Sequence, residues 1–285
     1  MGYKLKKSIS LKVLLEEFNI LFNGDDILIK GVSSLNDYEE GTLIFCNKPI
    51  AVPDGAIVVT QYEYENAIVI PSEEPRKLFV HILNWLEKNI GFDLYTSVSQ
   101  IHSSVKLGQN VVIEQGCLIE KDVIIESNVV IHKGTIIKEG TRIRSCASIG
   151  SDGFGFERIN GVNVRFPHLG RVILGRNVEV GACSTIARGA LSDTVISDDV
   201  KIDNLVHIAH NVKVGSGTLI TACAEISGSV EIGSCAWIAP NVAIREKLKI
   251  GNDAVIGLAA VVTKSVAEGV TVAGNPARPL PKKVD

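Results

Sequence analysis

The run VKLGQNVVIEQGCLIEKDVIIESNVVIHKGTIIKEGTRIRSCASIG, residues 105–150, carries an aliphatic residue at every sixth position. Leu107, Ile113, Ile119, Ile125, Ile131, Ile137, Ile143 and Ile149 mark the period, which begins at Ile101. A period of six fits neither an amphipathic helix nor an alternating strand. The phase resumes at Leu174, Val180 and Ile186, slips once, and then runs from Ile196 to Val262. The fifth residue of most hexads is small or β-branched, as at Val105, Val111, Thr135, Val200, Val212 and Ala224.

Three hexads make one triangular coil, so residues three hexads apart stack on one flat face, roughly 4.8 Å from each other. The aliphatic and fifth positions point inward. The pattern therefore predicts a mainly β protein, a left-handed parallel β-helix of about eight coils over residues 101–266.

Two breaks interrupt it. GSDGFGFERINGVNVRFPHLGR, residues 150–171, leaves the coil as a long loop, and RGALSDT, residues 188–194, is a shorter bulge. Loops thrown out of a rigid scaffold are where binding residues concentrate. After Val262 the Gly-Asn-Pro and Pro-Leu-Pro punctuation predicts an irregular cap over 267–285.

Residues 1–90 read differently. Ser10–Phe18 predicts a short helix. DILIKGVSS, GTLIF, GAIVVT and NAIVI read as strands, and Pro75 opens a helix running to about Glu87. Together they predict a small α/β domain, joined to the prism by a linker at 91–100.

Composition narrows the function. A net charge of −3 gives no global attraction to nucleic acid or anionic membrane. MGYKLKKSIS has basic residues but no long apolar stretch, Lys6 stands where a myristoylation motif wants Ser or Thr, and no apolar run is long enough for a membrane span. A cytoplasmic protein is expected. Cys46, Cys117, Cys146, Cys183, Cys223 and Cys235 form no CxxC pair, so they are expected to be small buried hydrophobes rather than zinc ligands. There is no P-loop and no strand-following GxGxxG.

Of six histidines, His81 lies in the second predicted helix, His102 and His132 are second in their hexads, and His168 belongs to the long loop, where it could touch a ligand. His207 and His210, in DNLVHIAHNV, fall at outward positions of the prism, where core packing gains nothing from a histidine. A solvated surface role competes with that of a general base, which imidazole suits at neutral pH. One coil on from His210 is Gly228, and one coil on from His207 is Glu225. A glycine beside a base leaves room for a reacting carbonyl and offers an unshielded N–H for an oxyanion. Asp203 is the nearest acid in sequence that could orient the imidazole. No third histidine joins the pair in coil register, so no metal site is expected.

At GSDGFGF, FPHLGRV, RGALSDT and DNLVHIAHNV the chain resembles the LpxD family, which N-acylates UDP-3-O-acylglucosamine in lipid A synthesis. It resembles still more its shorter relatives of surface-polysaccharide pathways. The resemblance implies His210 as base, Asp203 as its support and the Gly228 N–H as oxyanion donor. It implies a homotrimer with sites between subunits, in which Asp152, Phe154, Phe156, His168, Asn204, His207 and Glu225 line a groove for a nucleotide-linked amino sugar. Several positions depart from the family. Phe45 and Asn47 are two apart, where the family's uridine-stacking segment has them three apart, and Pro49 follows instead of an aromatic. Ala187 stands where an Asp usually precedes RGAL, and Lys247 where LpxD has a second histidine. The C-terminal helices that LpxD offers to acyl carrier protein are missing, and AVVTKSVAEGVTVAGNPAR resembles the end of acetyl-CoA-dependent hexapeptide transferases. Lys247, Lys264 and Arg278 would then meet the co-substrate. The resulting expectation is a short, acetyl-like acyl group moved from acyl-CoA to a sugar amine, with no bound cofactor or metal. The alternatives are the lipid A enzyme itself, using acyl carrier protein, and a non-catalytic scaffold or γ-type carbonic anhydrase.

Overall fold

The computed structural model describes residues 2–280. The chain divides into two compact units: residues 2–94 with 155–169, and residues 95–154 with 170–280.

The first unit is a five-stranded sheet with two helices. Its strands are β1 (Tyr3–Ser10), β2 (Leu28–Val32), β3 (Thr42–Cys46), β4 (Ile57–Thr60) and β5 (Ile68–Pro71), in that spatial order. β1 runs antiparallel to β2, and the other pairs are parallel. Helix α1 (Leu11–Glu16) is capped by Ser10, whose hydroxyl accepts from Val13 N–H at 3.2 Å. Helix α2 (Pro75–Asn89) starts on Pro75, whose missing N–H costs nothing there, and buries Phe79, Val80, Ile82, Leu83 and Leu86. β1 is absent from the sequence reading. Its sequence YKLKKSIS alternates only at Tyr3 and Leu5, and three lysines mask the period.

Much of the expected long loop is ordered. Phe156–Ile159 and Val162–Arg165 pair as an antiparallel hairpin. Asn160 and Gly161 turn it with φ of 49° and 81°, the left-handed pair that a tight hairpin turn requires. Asn84 on α2 donates to the Arg165 carbonyl at 2.9 Å, and Phe79 packs on Phe166 with centroids 6.3 Å apart. The hairpin thus belongs to the first unit.

The second unit is the parallel β-helix of hexads. Its rungs stack into three sheets of eight, eight and ten strands. The first face carries Leu118–Ile119, Lys213–Val214 and Lys249–Ile250, the second Lys201–Ile202 and Trp237–Ile238, the third His207–Ile208 and Glu225–Ile226. In each rung one residue points out and the aliphatic one points in. From Ile119 to Val262 these inward residues are buried in one continuous core. Ile101 and Leu107, in the first coil, stay 42% and 49% exposed, with no earlier rung of this unit stacked on them.

The stack continues across both breaks. Thr185 pairs with Ser148 across the long excursion, where the ladder shifts register between Ile149 and Ser151, and with His207 across the bulge. At the far end part of the expected cap is one more rung: Thr271–Ala273 pairs with Val255–Ile256, and Arg278–Pro279 folds back on it. Residues 281–285 of that expected cap lie outside the described residues.

The cysteines correct an expectation. Cys46 and Cys117 are buried, but Cys146, Cys183, Cys223 and Cys235 are exposed. All four sit at corners with φ between 55° and 64°. Corner positions elsewhere hold Asn110, Asn128, Asn177 and Asn241 in the same conformation, which asparagine tolerates better than most residues. Backbone geometry, not burial, selects these sites.

Candidate active site

The corner between the third and first faces carries the candidate base. His210 stands there, and the next residue orients it. His210 Nδ1 lies 2.8 Å from Asn211 Oδ1. The amide is not free to flip: its Oδ1 also accepts from Ala190 N–H at 3.1 Å, and its Nδ2 donates to the Ser192 carbonyl and hydroxyl at 3.1 and 2.7 Å. An amide oxygen can only accept, so in the neutral imidazole Nδ1 is the donor and Nε2 the acceptor nitrogen.

Gly228 lies one coil on, where Ser229 N–H donates to the His210 carbonyl at 2.9 Å. A Cβ built on Gly228 would meet His210 Cε1 and Nε2 at 2.8 Å each. Any side chain there would push the imidazole away, so glycine is a steric requirement of this corner.

The bulge 188–194 holds this corner from above. Arg188 is a guanidinium only 1% exposed. Its Nε donates to the Gly150 carbonyl at 2.7 Å, its Nη2 to the Lys133 carbonyl, and its backbone N–H to the Ser151 carbonyl at 2.9 Å. Asp152 lies 3.9 Å away, and the guanidinium sits 5.9 Å over the Tyr95 ring. Burial lowers the Arg188 pKa from its ordinary value and pushes the Tyr95 hydroxyl up to about 12. The other end of the excursion is held by the same bulge: Asp193 accepts from Arg171 N–H and Nε at 3.0 and 3.1 Å, and Gly170 N–H donates to Gly189. The two sequence breaks are one device. The bulge grips both ends of the excursion through Arg188 and Asp193, and His210 through Asn211.

His207 and Glu225 face outward on adjacent rungs of the third face, with His207 Nδ1 2.7 Å from Thr185 Oγ1. Asp203 and Asn204 do not join His210. They occupy the opposite edge of that face, where Asp203 Oδ1 accepts from Asn204 N–H and Asn204 Oδ1 accepts from Ala182 N–H. The orienting partner is Asn211, which the sequence reading passed over because it sought an acid. Asp152 and Phe154 lie where the excursion leaves the prism, with Phe154 91% exposed. Phe156 and His168 belong to the first unit, where Arg165 covers the Phe156 ring at 4.6 Å and the buried His168 has Nδ1 2.8 Å from the Phe166 carbonyl. Lys247 is a left-handed corner residue whose N–H donates to the Gly228 carbonyl, and Lys264 follows on the same corner. Arg278 instead lies on the rung that folds back on Thr271–Ala273. The Phe45 ring lies 4.8 Å from that of Phe79, tilted by 38°, and Asn47, Gln61, Arg76 and Glu157 are among the residues lining a pocket of about 390 Å³. Among the described residues no group of three His, Cys, Asp or Glu could hold a metal ion, and no helix is long and apolar enough to cross a membrane.

Residues 193–228 match the family described as bacterial transferase hexapeptide (six repeats). The UDP-3-O-acylglucosamine N-acyltransferase of Hahella chejuensis is 45% identical over 136 residues, 47% of this chain and 39% of that protein. That of Delftia acidovorans is 41% identical over 126 residues, 44% of this chain and 38% of its own. The matches thus span about two fifths of the length of these curated relatives. Among solved structures, the UDP-N-acetylglucosamine acyltransferase of Francisella novicida is 26% identical with a TM-score of 0.56, covering 65% of this chain and 68% of that one. The chain is thus similar to these acyltransferases over part of its length and has a parallel β-helix.

Proposed function

We propose that the protein is an N-acyltransferase that moves an acyl group from a thioester to the amine of a nucleotide-linked glucosamine already acylated on O3. The observation that carries this reading is the His210–Asn211 pair: a base with its tautomer fixed and its Nε2 beside Gly228. The names of the relatives support an amino-sugar acceptor of that kind. They favour the lipid A reading over short-chain transfer from acyl-CoA, so acyl carrier protein is the proposed donor. The working form is a homotrimer.

In the reaction the sugar nitrogen attacks the thioester carbonyl, forming the N–C bond. His210 Nε2 takes the ammonium proton, and the Gly228 N–H donates to the oxyanion. The intermediate collapses with loss of the C–S bond, and the proton passes from His210 to the leaving thiolate. Asn211 holds the imidazole throughout.

The test is thiol release by the purified protein. UDP-3-O-acylglucosamine is offered with 3-hydroxyacyl carrier protein, and a panel of UDP- and dTDP-linked amino sugars with acetyl-CoA. Turnover in the first arm alone supports the reading. Turnover only with acetyl-CoA returns the short-chain reading, and silence in both removes the transferase assignment.

A further inference from the structure

The corner between the second and third faces bears a column of left-handed residues, one per coil: Asn110, Asn128, Cys146, Cys183, Leu205, Cys223, Asn241 and Ala259. The ladder fixes the column. Arg142 pairs with Glu179 and Ser148 with Thr185, which brackets Cys146 against Cys183, and Cys183 N–H donates to the Ser145 carbonyl at 3.1 Å. The two cysteines have φ of 64° and 57°, both are exposed, and both thiols are free. Their Cα atoms are therefore about one strand spacing apart, roughly 4.8 Å, inside the range a disulfide spans. Side chains in this column reach each other: one coil earlier, Asn110 Nδ2 donates to Asn128 Oδ1 at 3.3 Å. Cys223 is separated from Cys183 by the Leu205 coil, and Cys235 belongs to another column, stacked over Gly217.

We propose that Cys146 and Cys183 form a vicinal dithiol, a site at which small-molecule disulfides exchange to leave a bridge between successive coils. A thiolate of the pair attacks the S–S bond of the incoming disulfide, giving a mixed disulfide and one free thiol. The second thiolate then attacks the protein sulfur, closing Cys146–Cys183 and releasing the second thiol. Each protein thiol loses a proton, and the incoming disulfide takes up the two electrons. The bridge spans the two coils between which the chain makes its long excursion. It would tie these two coils together at the edge of the third face opposite the one where the excursion leaves, leaving Cys223 and Cys235 to react independently.

The test uses the whole protein under native conditions with excess oxidised glutathione, followed by non-reducing tryptic mass spectrometry. Cleavage after Arg144, Arg158, Arg176 and Arg188 puts Cys146 and Cys183 on separate peptides, while Cys223 and Cys235 share peptide 214–245 and are told apart by fragmentation. The expected result is a cross-linked pair of peptides 145–158 and 177–188, two hydrogens lighter than their sum, with glutathione adducts on Cys223 and Cys235 alone. Cys146→Ser should turn Cys183 into an adduct site, and Cys183→Ser should do the same for Cys146. Separate adducts on both cysteines of the wild type, a bridge between two chains, or no reaction at either would overturn the proposal.

Discussion

His210 Nδ1 faces Asn211 Oδ1 at 2.8 Å, and the asparagine is itself held by Ala190 and Ser192 of the bulge. Asn211→Ala should therefore lower kcat with little change in KM. The loss should stay within the roughly 10²–10⁴-fold expected for removing the base through His210→Ala. Asp203→Ala should leave turnover near wild type, since Asp203 stands at another corner. Steady-state kinetics on the three variants decides it, and a large loss at Asp203 with none at Asn211 would reverse the assignment.

Gly228→Ala separates geometry from folding. The new methyl would sit 2.8 Å from the imidazole of His210, on a backbone that accepts an L-residue. Turnover should fall at least tenfold, roughly 1.4 kcal/mol of barrier, while the thermal midpoint stays close to wild type. Loss of the midpoint along with turnover would mean the glycine serves the coil and not the base.

Arg188→Met should destabilise the second unit. The substitution keeps most of the volume but leaves the Gly150 and Lys133 carbonyls without their donor, at about 1–3 kcal/mol for each buried group unsatisfied. Denaturant unfolding measures this directly. An unchanged midpoint would show that water replaces the guanidinium.

Tyr95 gives a pH dependence. Burial raises its folded pKa from 10.0 to about 12. The neutral phenol is thus the form that the fold favours. Its contribution is fully present below pH 10 and is lost as pH rises from there toward 12. Tyr95→Phe should remove the latest component of the alkaline absorbance titration and flatten the fall in stability over that window. A wild-type titration with no such late component would refute the shift.

The prism was legible because its period is set by geometry alone: an aliphatic residue must fill each turn of a triangular coil, and Ile119 through Val262 do so. The hairpin at 156–165 was hidden only by a reading that stopped at its glycines, for Asn160–Gly161 is a strong turn signal. The exposed cysteines were hidden because hydrophobicity argues for burial, whereas their phase matches that of Asn110 and Asn128. Asp203 misled for a related reason. It is close to His210 in sequence, but the coil turns a corner between them, so only counting by face separates the two. The clamp of Arg188 on Gly150 crosses coils without any repeat and left no trace in the period.

The four residues that the bulge adds between Ile186 and Ile196 never enter the ladder, because Thr185 still pairs with His207. Added length in a structure built by translation can escape only at a vertex. The flat faces are therefore conserved by geometry and the vertices are free to grow. The long excursion and the bulge share the edge that carries the imidazole, so this edge is where a chain of this architecture can gain new specificity while its interior stays untouched.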